Sequence, residues 1–345
     1  MKLTVENEIK LIKDILTKYG INEEDALKTA KIYVEGDLKG FSSHGLGRFP
    51  QTIIGLELGN INPNPKVKIL KDSPAVCAID GDNGLGYVLG EYAMNLAIEK
   101  AKKVGVGIVS TVNANHFGIT GHYSEMALKH DLIGIVITNT EPAMAPFGGV
   151  EKILGTNPIA IAIKGKKHSY SLDMATASVA RGKLLEAARI GKEIPEGCIV
   201  DKEGNPTTDP SKGLEGSILP FGGPKGYGIA LAIEILSSIG GGEMGTNVKG
   251  TATPTDKCTK GDLFVTLNPE FFGDKNEFME KVDNLIEEIK NSKTPNDGMS
   301  ILIPGEIEKM NMEKNKNGII VDEALYNKLE EICNKNNINI KDYIN

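Results

Sequence analysis

The sequence predicts an α/β protein: a largely buried sheet flanked by helices, with a helical lobe packed against it. Three observations lead there. Short β-type runs alternate with helical runs through the middle of the chain, the first seventy residues carry a helical period, and the C-terminal stretch returns to helix.

Taken in order, residues 6–19 place Ile9, Leu11, Ile12, Ile15 and Leu16 at helical spacing. Asn22 offers an N-cap to a second helix, with Glu23, Glu24 and Asp25 in its first turn. That helix carries Ala26, Ala30, Tyr33 and Leu38 on one face and stops near Gly40. A third helical stretch ends at Leu58-Gly59, where Asn62-Pro63-Asn64-Pro65 breaks it. β-type runs then fall at 75–80, 106–112, 132–138, 158–163, 169–173 and 262–267. Helical runs sit between several of them, at 91–103, 122–129, 181–189 and 226–238. Residues 275–290 form a helix with a stripe of Phe278, Val282, Leu285 and Ile289. A strand at 300–304 (SILIP) and a helix from Asp322 close the chain. The natural division is a helical domain from residues 1–72 with 307–345, and an α/β domain from 73–306.

Composition excludes several classes. The net charge is −7 with no run of Lys or Arg, which argues against a nucleic-acid or anionic-membrane partner. Cys77, Cys198, Cys258 and Cys333 are scattered and form no CxxC pair, so the chain reads as a cytoplasmic protein with reduced thiols. No stretch is long and apolar enough for a membrane span, and the N-terminus is a charged amphipathic helix rather than a signal peptide. No G-x-S-x-G elbow, Walker A loop or HExxH helix is present.

Gly84-Leu85-Gly86-Tyr87-Val88-Leu89-Gly90 follows a strand and opens a helix, which invites a dinucleotide-binding reading. Its spacing is G-x-G-x-x-x-G, and no acidic residue lies in the strand at 104–112 where one would meet a ribose. A Gly-rich turn that lets the helix pack closely on its strand fits better than a pyrophosphate loop.

Two histidines sit in polar, Gly-flanked loops. In Ser43-His44-Gly45-Leu46-Gly47-Arg48, a helical turn would place His44 and Arg48 on one side. A guanidinium fork suits a carboxylate, and an imidazole near its ordinary pKa of about 6.5 suits a hydroxyl that loses its proton. Ser43 would orient the ring or cap the turn. A capped helix start with a solvent-facing His and a surface Arg accounts for the same residues. His116, in Asn115-His116-Phe117-Gly118, follows a β-type run, where α/β proteins gather ligand contacts. His122 lies six residues later, a poor spacing for a metal, and no metal is expected. Lys225 stands near a helix N-terminus, a place that favours an anion such as a pyrophosphate. Asp173 closes a strand, where it would fix a neighbouring His in one tautomer or act as an N-cap for the next segment.

In this order, Ser43-His44-Gly45 with Arg48, Asn115-His116-Phe117-Gly118, Gly155-Thr156-Asn157-Pro158, Asp173-Met174-Ala175-Thr176, Pro220-Phe221-Gly222-Gly223-Pro224-Lys225-Gly226 and Pro304-Gly305-Glu306 resemble the malate/L-lactate dehydrogenase family. The resemblance spans almost the whole chain. The stretch from Glu141 to Gly149 and Asp173 to Ser178 is most like the sulfolactate/malate dehydrogenases of methanogenic archaea.

The resemblance implies a three-layer α/β fold with a mixed sheet that is not Rossmann, and a homodimer with its active site between domains. It implies interconversion of a small 2-hydroxy acid and its 2-oxo acid, foremost L-sulfolactate and sulfopyruvate (a step of coenzyme M biosynthesis) or malate and oxaloacetate. It makes His44 the acid/base, tuned by Asp173 and Ser43, with Arg48 on the substrate carboxylate and His116 beside the nicotinamide. The dinucleotide, NAD with NADP open, would be held by His116, Phe117, Gly118, Ile119 and Thr120. Asp173, Met174, Ala175, Thr176 and Ser178 would join them, with Lys225, Gly226, Pro304, Gly305 and Glu306. Where relatives carry a basic residue after Glu141, this chain has Pro142, so contacts to the far end of the substrate stay open. Arg181 and Lys183 would meet a 2′-phosphate or simply decorate a helix. A reductase of a cyclic imino acid or of a sugar-derived 2-oxo acid on the same scaffold is the nearest alternative. A non-catalytic binding protein that kept the fold is the alternative of another class.

Overall fold

The computed structural model describes residues 1–252, 254–295 and 298–344. A two-residue strand, β1 (Lys2–Leu3), leads into helix α1 (Val5–Lys18), which starts where the Thr4 hydroxyl accepts the Asn7 amide at 3.2 Å. Its buried stripe is Leu11, Ile12, Ile15 and Leu16, and Glu8 lies on the same face. Helix α2 (Glu23–Lys39) is capped by the Asn22 side chain, which accepts from the Asp25 amide at 3.0 Å. It ends at Gly40, whose φ of 89° closes the last turn at no steric cost. Helix α3 (Phe49–Glu57) follows a short 3₁₀ turn at Leu46–Arg48.

The α/β region then runs β2 (Lys68–Asp72), β3 (Val76–Gly84), α4 (Gly86–Val104), β4 (Val106–Ala114), α5 (Thr120–Met126), β5 (Ile133–Thr138), β6 (Ile159–Lys164) and β7 (Ser169–Met174). Beyond it come α6 (Arg181–Ile190), β8 (Ile199–Val200), β9 (Pro206–Thr207), α7 (Pro210–Glu215), β10 (Ser217–Ile218) and α8 (Pro224–Ser237). The chain closes with β11 (Gly261–Leu267), α9 (Lys275–Lys290), α10 (Glu306–Asn315), β12 (Ile319–Ile320) and α11 (Glu323–Lys335).

The main sheet has the order β2-β3-β4-β11-β5-β6-β7. Only β3 and β4 run parallel, and every other neighbouring pair is antiparallel. The sheet is therefore mixed, as the resemblance implied, and unlike the parallel sheet of a Rossmann domain. Strand β11 arrives late in sequence and inserts between β4 and β5, pairing Phe264 with both Val109 and Val136. Phe264 is fully buried there and joins one continuous core with Leu11, Tyr33, Phe49, Tyr87 and Leu329. That core welds α1, α2, α3 and α11 to one face of the sheet. At the chain ends β1 pairs with β12, and the Asn311 and Asn315 side chains of α10 bond the last carbonyls of α2, including Lys39 and Asp37. Among the described residues no helix is long and apolar enough to cross a membrane.

Two expectations need correcting. Residues 300–304 form no strand: the Ser171 amide bonds the Pro304 carbonyl, and Ile303 and Glu306 bond each other in a tight turn that opens α10. The first seventy residues are not all helical, because β2 begins at Lys68. Every residue of that edge strand is exposed, so no alternation marked it. Helix α10 also carried no sequence signal, because none of its residues is buried and it has no apolar stripe.

Candidate active site

The GLGYVLG segment sets the site's floor. Gly86 opens α4 beneath the turn that follows β4, and a Cβ on it would run into the Asn115 and His116 carbonyls. Gly90, one turn later, lies against the Tyr123 ring. Close packing explains these glycines. His116 is thereby fixed at the mouth of α4, with its Nδ1 accepting the Gly118 amide at 3.2 Å and lying 3.4 Å from the Tyr87 hydroxyl.

The turn from Phe41 to Arg48 brings in the second imidazole. The His44 and Gly45 amides bond the Phe41 carbonyl, and the Arg48 amide bonds Gly45. The His44 and His116 rings then lie 5.4 Å apart, centroid to centroid. Ser43 Oγ is 3.0 Å from His44 Nδ1, so the serine orients the ring rather than capping a helix. Arg48 donates from both guanidinium nitrogens to loop carbonyls, to Ala252 at 3.3 Å and to Thr251. Beside Arg48 and His116 lies a cavity of about 20 Å³, lined also by Gln51, Thr52, Asn115, Gly250 and Pro254.

Electrostatics make both rings neutral. Burial, and then the Arg48 charge, push His44 down to about 4, below the ordinary value assumed from the sequence. His116 is lowered further, by burial and by Arg48, His44 and Lys260. Lys260 is a contributor that no motif announced. It is fully buried, ion-paired to Asp262, and 4.5 Å from the centre of the Phe117 ring. Asp262 also accepts from Thr111 Oγ1 at 2.6 Å. The missed signal was a Lys and an Asp flanking Gly261 at the entry of a buried strand.

Asp173 lies elsewhere. Its carboxylate accepts the Gly121 amide at 2.7 Å in the first turn of α5, and neither imidazole is among its hydrogen-bond partners. Burial raises its pKa to about 6 against the pull of that amide. The structure joins Asp173 instead to the other segments singled out in the sequence. Gly305 (φ 97°) packs on Ser171, and Thr176, Ala177 and Ser178 run beside Leu219, Pro220 and Phe221. That path leads through Gly222 and Gly223 to the exposed Lys225 in the first turn of the 14-residue α8. Residues 116–121, 173–178, 219–226 and 304–306 are thus linked in one strip at the β7 edge of the sheet.

Gly182 of α6 packs on the Ser43 side chain, and Arg181 pairs with Glu141 at 3.6 Å. His122 is no part of the cleft. It sits between Glu35 at 2.6 Å and Glu91 at 3.3 Å, and these carboxylates raise it to about 9 despite burial.

A mixed, non-Rossmann α/β fold with paired imidazoles, an arginine fork and a backbone-rich strip describes a 2-hydroxy acid dehydrogenase. The comparisons with known proteins agree. The family model for malate/L-lactate dehydrogenase matches residues 3–330. The L-sulfolactate dehydrogenase of Methanocaldococcus jannaschii is 67% identical over 344 residues, 100% of each chain. The malate/(S)-sulfolactate dehydrogenase of Methanothermus fervidus is 51% identical over 342 residues, 99% of each. Among solved structures, the M. jannaschii sulfolactate dehydrogenase superposes with a TM-score of 0.96 over 99% of both chains. Malate dehydrogenase from Pyrococcus horikoshii does so at 0.89 with 37% identity, over 98% of this chain and 96% of the other. The chain belongs to the malate/L-lactate dehydrogenase family.

Proposed function

We propose that this chain interconverts L-sulfolactate and sulfopyruvate, and malate and oxaloacetate, with NAD as cofactor. The observation that carries the reading is the His44 ring lying 5.4 Å from His116, which with Arg48 lines one cavity. Sulfolactate and malate are favoured among 2-hydroxy acids because the relatives that cover the whole chain bear those names.

The strip from His116 to Glu306 fits an extended dinucleotide. It offers backbone amides at the positive-φ glycines Gly222 and Gly305, and a Lys in the first turn of α8. His116–Thr120, Asp173–Ser178, Lys225-Gly226 and Pro304–Glu306 would hold it. When bound, the nicotinamide supplies the hydride acceptor or donor for C2 of the substrate. NAD is preferred over NADP because Arg181, the cation best suited to a 2′-phosphate, is paired with Glu141, whose charge repels one.

The chain's own residues do the rest. Ser43 occupies Nδ1 of His44 and leaves Nε2 for the substrate hydroxyl. His44, neutral at pH 7, takes that proton in oxidation and returns it in reduction. Arg48 offers a bidentate fork to the carboxylate at C1. A 20 Å³ cavity holds about one water, so seating the substrate requires Arg48 to exchange the Thr251 and Ala252 carbonyls for the carboxylate. Residues 1–72 with 307–345 supply the His44 turn and 73–306 the cofactor strip. A cytoplasmic homodimer is the working form in this reading.

The test is a substrate panel of L-sulfolactate, malate, L-lactate and piperideine-2-carboxylate with NAD and NADP, followed at the reduced nicotinamide absorbance. Turnover of sulfolactate and malate with NAD is expected. Activity confined to the cyclic imine, or none with either dianion, sinks the proposal.

A further inference from the structure

The apolar stripe of α1 contains one carboxylate. Glu8 shares its face with Leu11, Ile12 and Ile15, is 1% exposed, and its Oε1 finds no donor among the described residues. A buried carboxylate oxygen without a partner is costly enough to demand an explanation. Its neighbour is a second buried carboxylate, Asp37 near the end of α2. Asp37 Oδ2 accepts the Leu46 amide at 2.5 Å, inside the turn that carries His44 and Arg48. Gly45 lies so close that a Cβ there would overlap the Asp37 carboxyl, and Gly36 meets the His44 backbone directly. Two adjacent buried carboxylates cannot both ionise, whereas one proton between them satisfies the orphaned oxygen and lowers the pair's charge.

We infer that Glu8 is held as the neutral acid, donates its proton to Asp37, and through the Asp37–Leu46 bond positions the turn that presents His44 and Arg48. Glu8 and Asp37 are positioning residues: neither lines the cavity beside Arg48 and His116. Burial and mutual repulsion raise Glu8 far above the carboxylate range, in keeping with this assignment. The inference rests on the proposed function only for its kinetic arm.

The experiment compares Glu8→Gln, which keeps a donor toward Asp37, with Glu8→Leu, which removes it, and with Asp37→Ala. Wild type at neutral pH should show a protonated-carboxyl C=O stretch in the infrared that shifts on deuteration and is absent from Glu8→Gln. Glu8→Gln should keep kcat and KM within about twofold and protect the Leu46 amide from hydrogen exchange as wild type does. Glu8→Leu should fold with equal or higher Tm, since an apolar group replaces a buried acid. It should nevertheless exchange Leu46 faster and lose kcat, and Asp37→Ala should lose kcat/KM by up to about 10²-fold. The inference is overturned if the acid band is missing, if Glu8→Gln is as damaged as Glu8→Leu, or if Glu8→Leu matches wild type in both exchange and kcat. Should the chain prove inactive on every hydroxy acid, the infrared band and the Leu46 exchange still decide the proton, so the two failures are distinguishable.

Discussion

At the scale of single residues, the site depends on two imidazoles kept uncharged by their surroundings. His44 is half-buried and faces Arg48, and both effects favour its neutral form. A neutral ring is ready to accept the hydroxyl proton across the neutral pH range, and its conjugate acid is a strong donor for the reverse reaction. General acid–base help of this kind contributes about 10²–10⁴-fold. Replacing His44 by Ala should therefore lower kcat by that order while leaving NADH affinity, read by fluorescence titration, close to wild type. A variant that kept near-normal turnover would move the proton chemistry to His116, the other ring in the cleft.

At the scale of elements, the glycines at the mouth of α4 decide where His116 stands. A methyl group on Gly86 would collide with the carbonyls of Asn115 and His116, which are backbone and cannot rotate away. Gly86→Ala should cost about 1–3 kcal/mol in denaturant unfolding and displace His116, lowering kcat/KM. A pyrophosphate loop at 84–90 would give a different result: normal stability with a raised KM for the cofactor alone. The two outcomes separate a packing role from a binding role at one position. The turn of His44 illustrates the same dependence. Its side chains read as chemistry in the sequence, but its shape is held by Asp37, which no motif marked. Asp37 lies inside an amphipathic helix, where an acidic residue looks like part of the solvated face.

At the scale of the whole molecule, one charged network fastens α2 to the helices and edge strand of the α/β region. Glu35 and Lys39 of α2 meet His122 and Glu125 of α5, His122 also meets Glu91 of α4, and Glu125 accepts from Ser171 of β7 at 2.6 Å. The folded protein raises His122 from an ordinary 6.5 to about 9, so its stabilisation is fully present below about pH 6.5 and is lost as pH rises through 9. Thermal unfolding between pH 7 and 10 should show Tm falling more steeply for wild type than for His122→Gln. That variant leaves Glu35 and Glu91 without their shared cation and should lose on the order of 3 kcal/mol near neutral pH. Parallel pH slopes for the two proteins would remove His122 from this role.

Much of this is legible in the sequence. Period and caps located α1, α2 and all but one strand of the main sheet, because each buries a face whose spacing is written locally. The ordered motifs carry the family, and the G-x-G-x-x-x-G spacing at 84–90 agrees with a mixed sheet rather than a Rossmann domain. What sequence determined, then, was element type, family and the residue kinds able to do the chemistry. Tertiary structure alone decided which of them meet. It set His44 against His116, sent Asp173 to the Gly121 amide, put β11 between β4 and β5, and placed Glu8 beside Asp37. The physical reason is range. Helical period and capping act over a few residues, whereas desolvation and charge pairing depend on what the folded chain brings from far away and excludes from water.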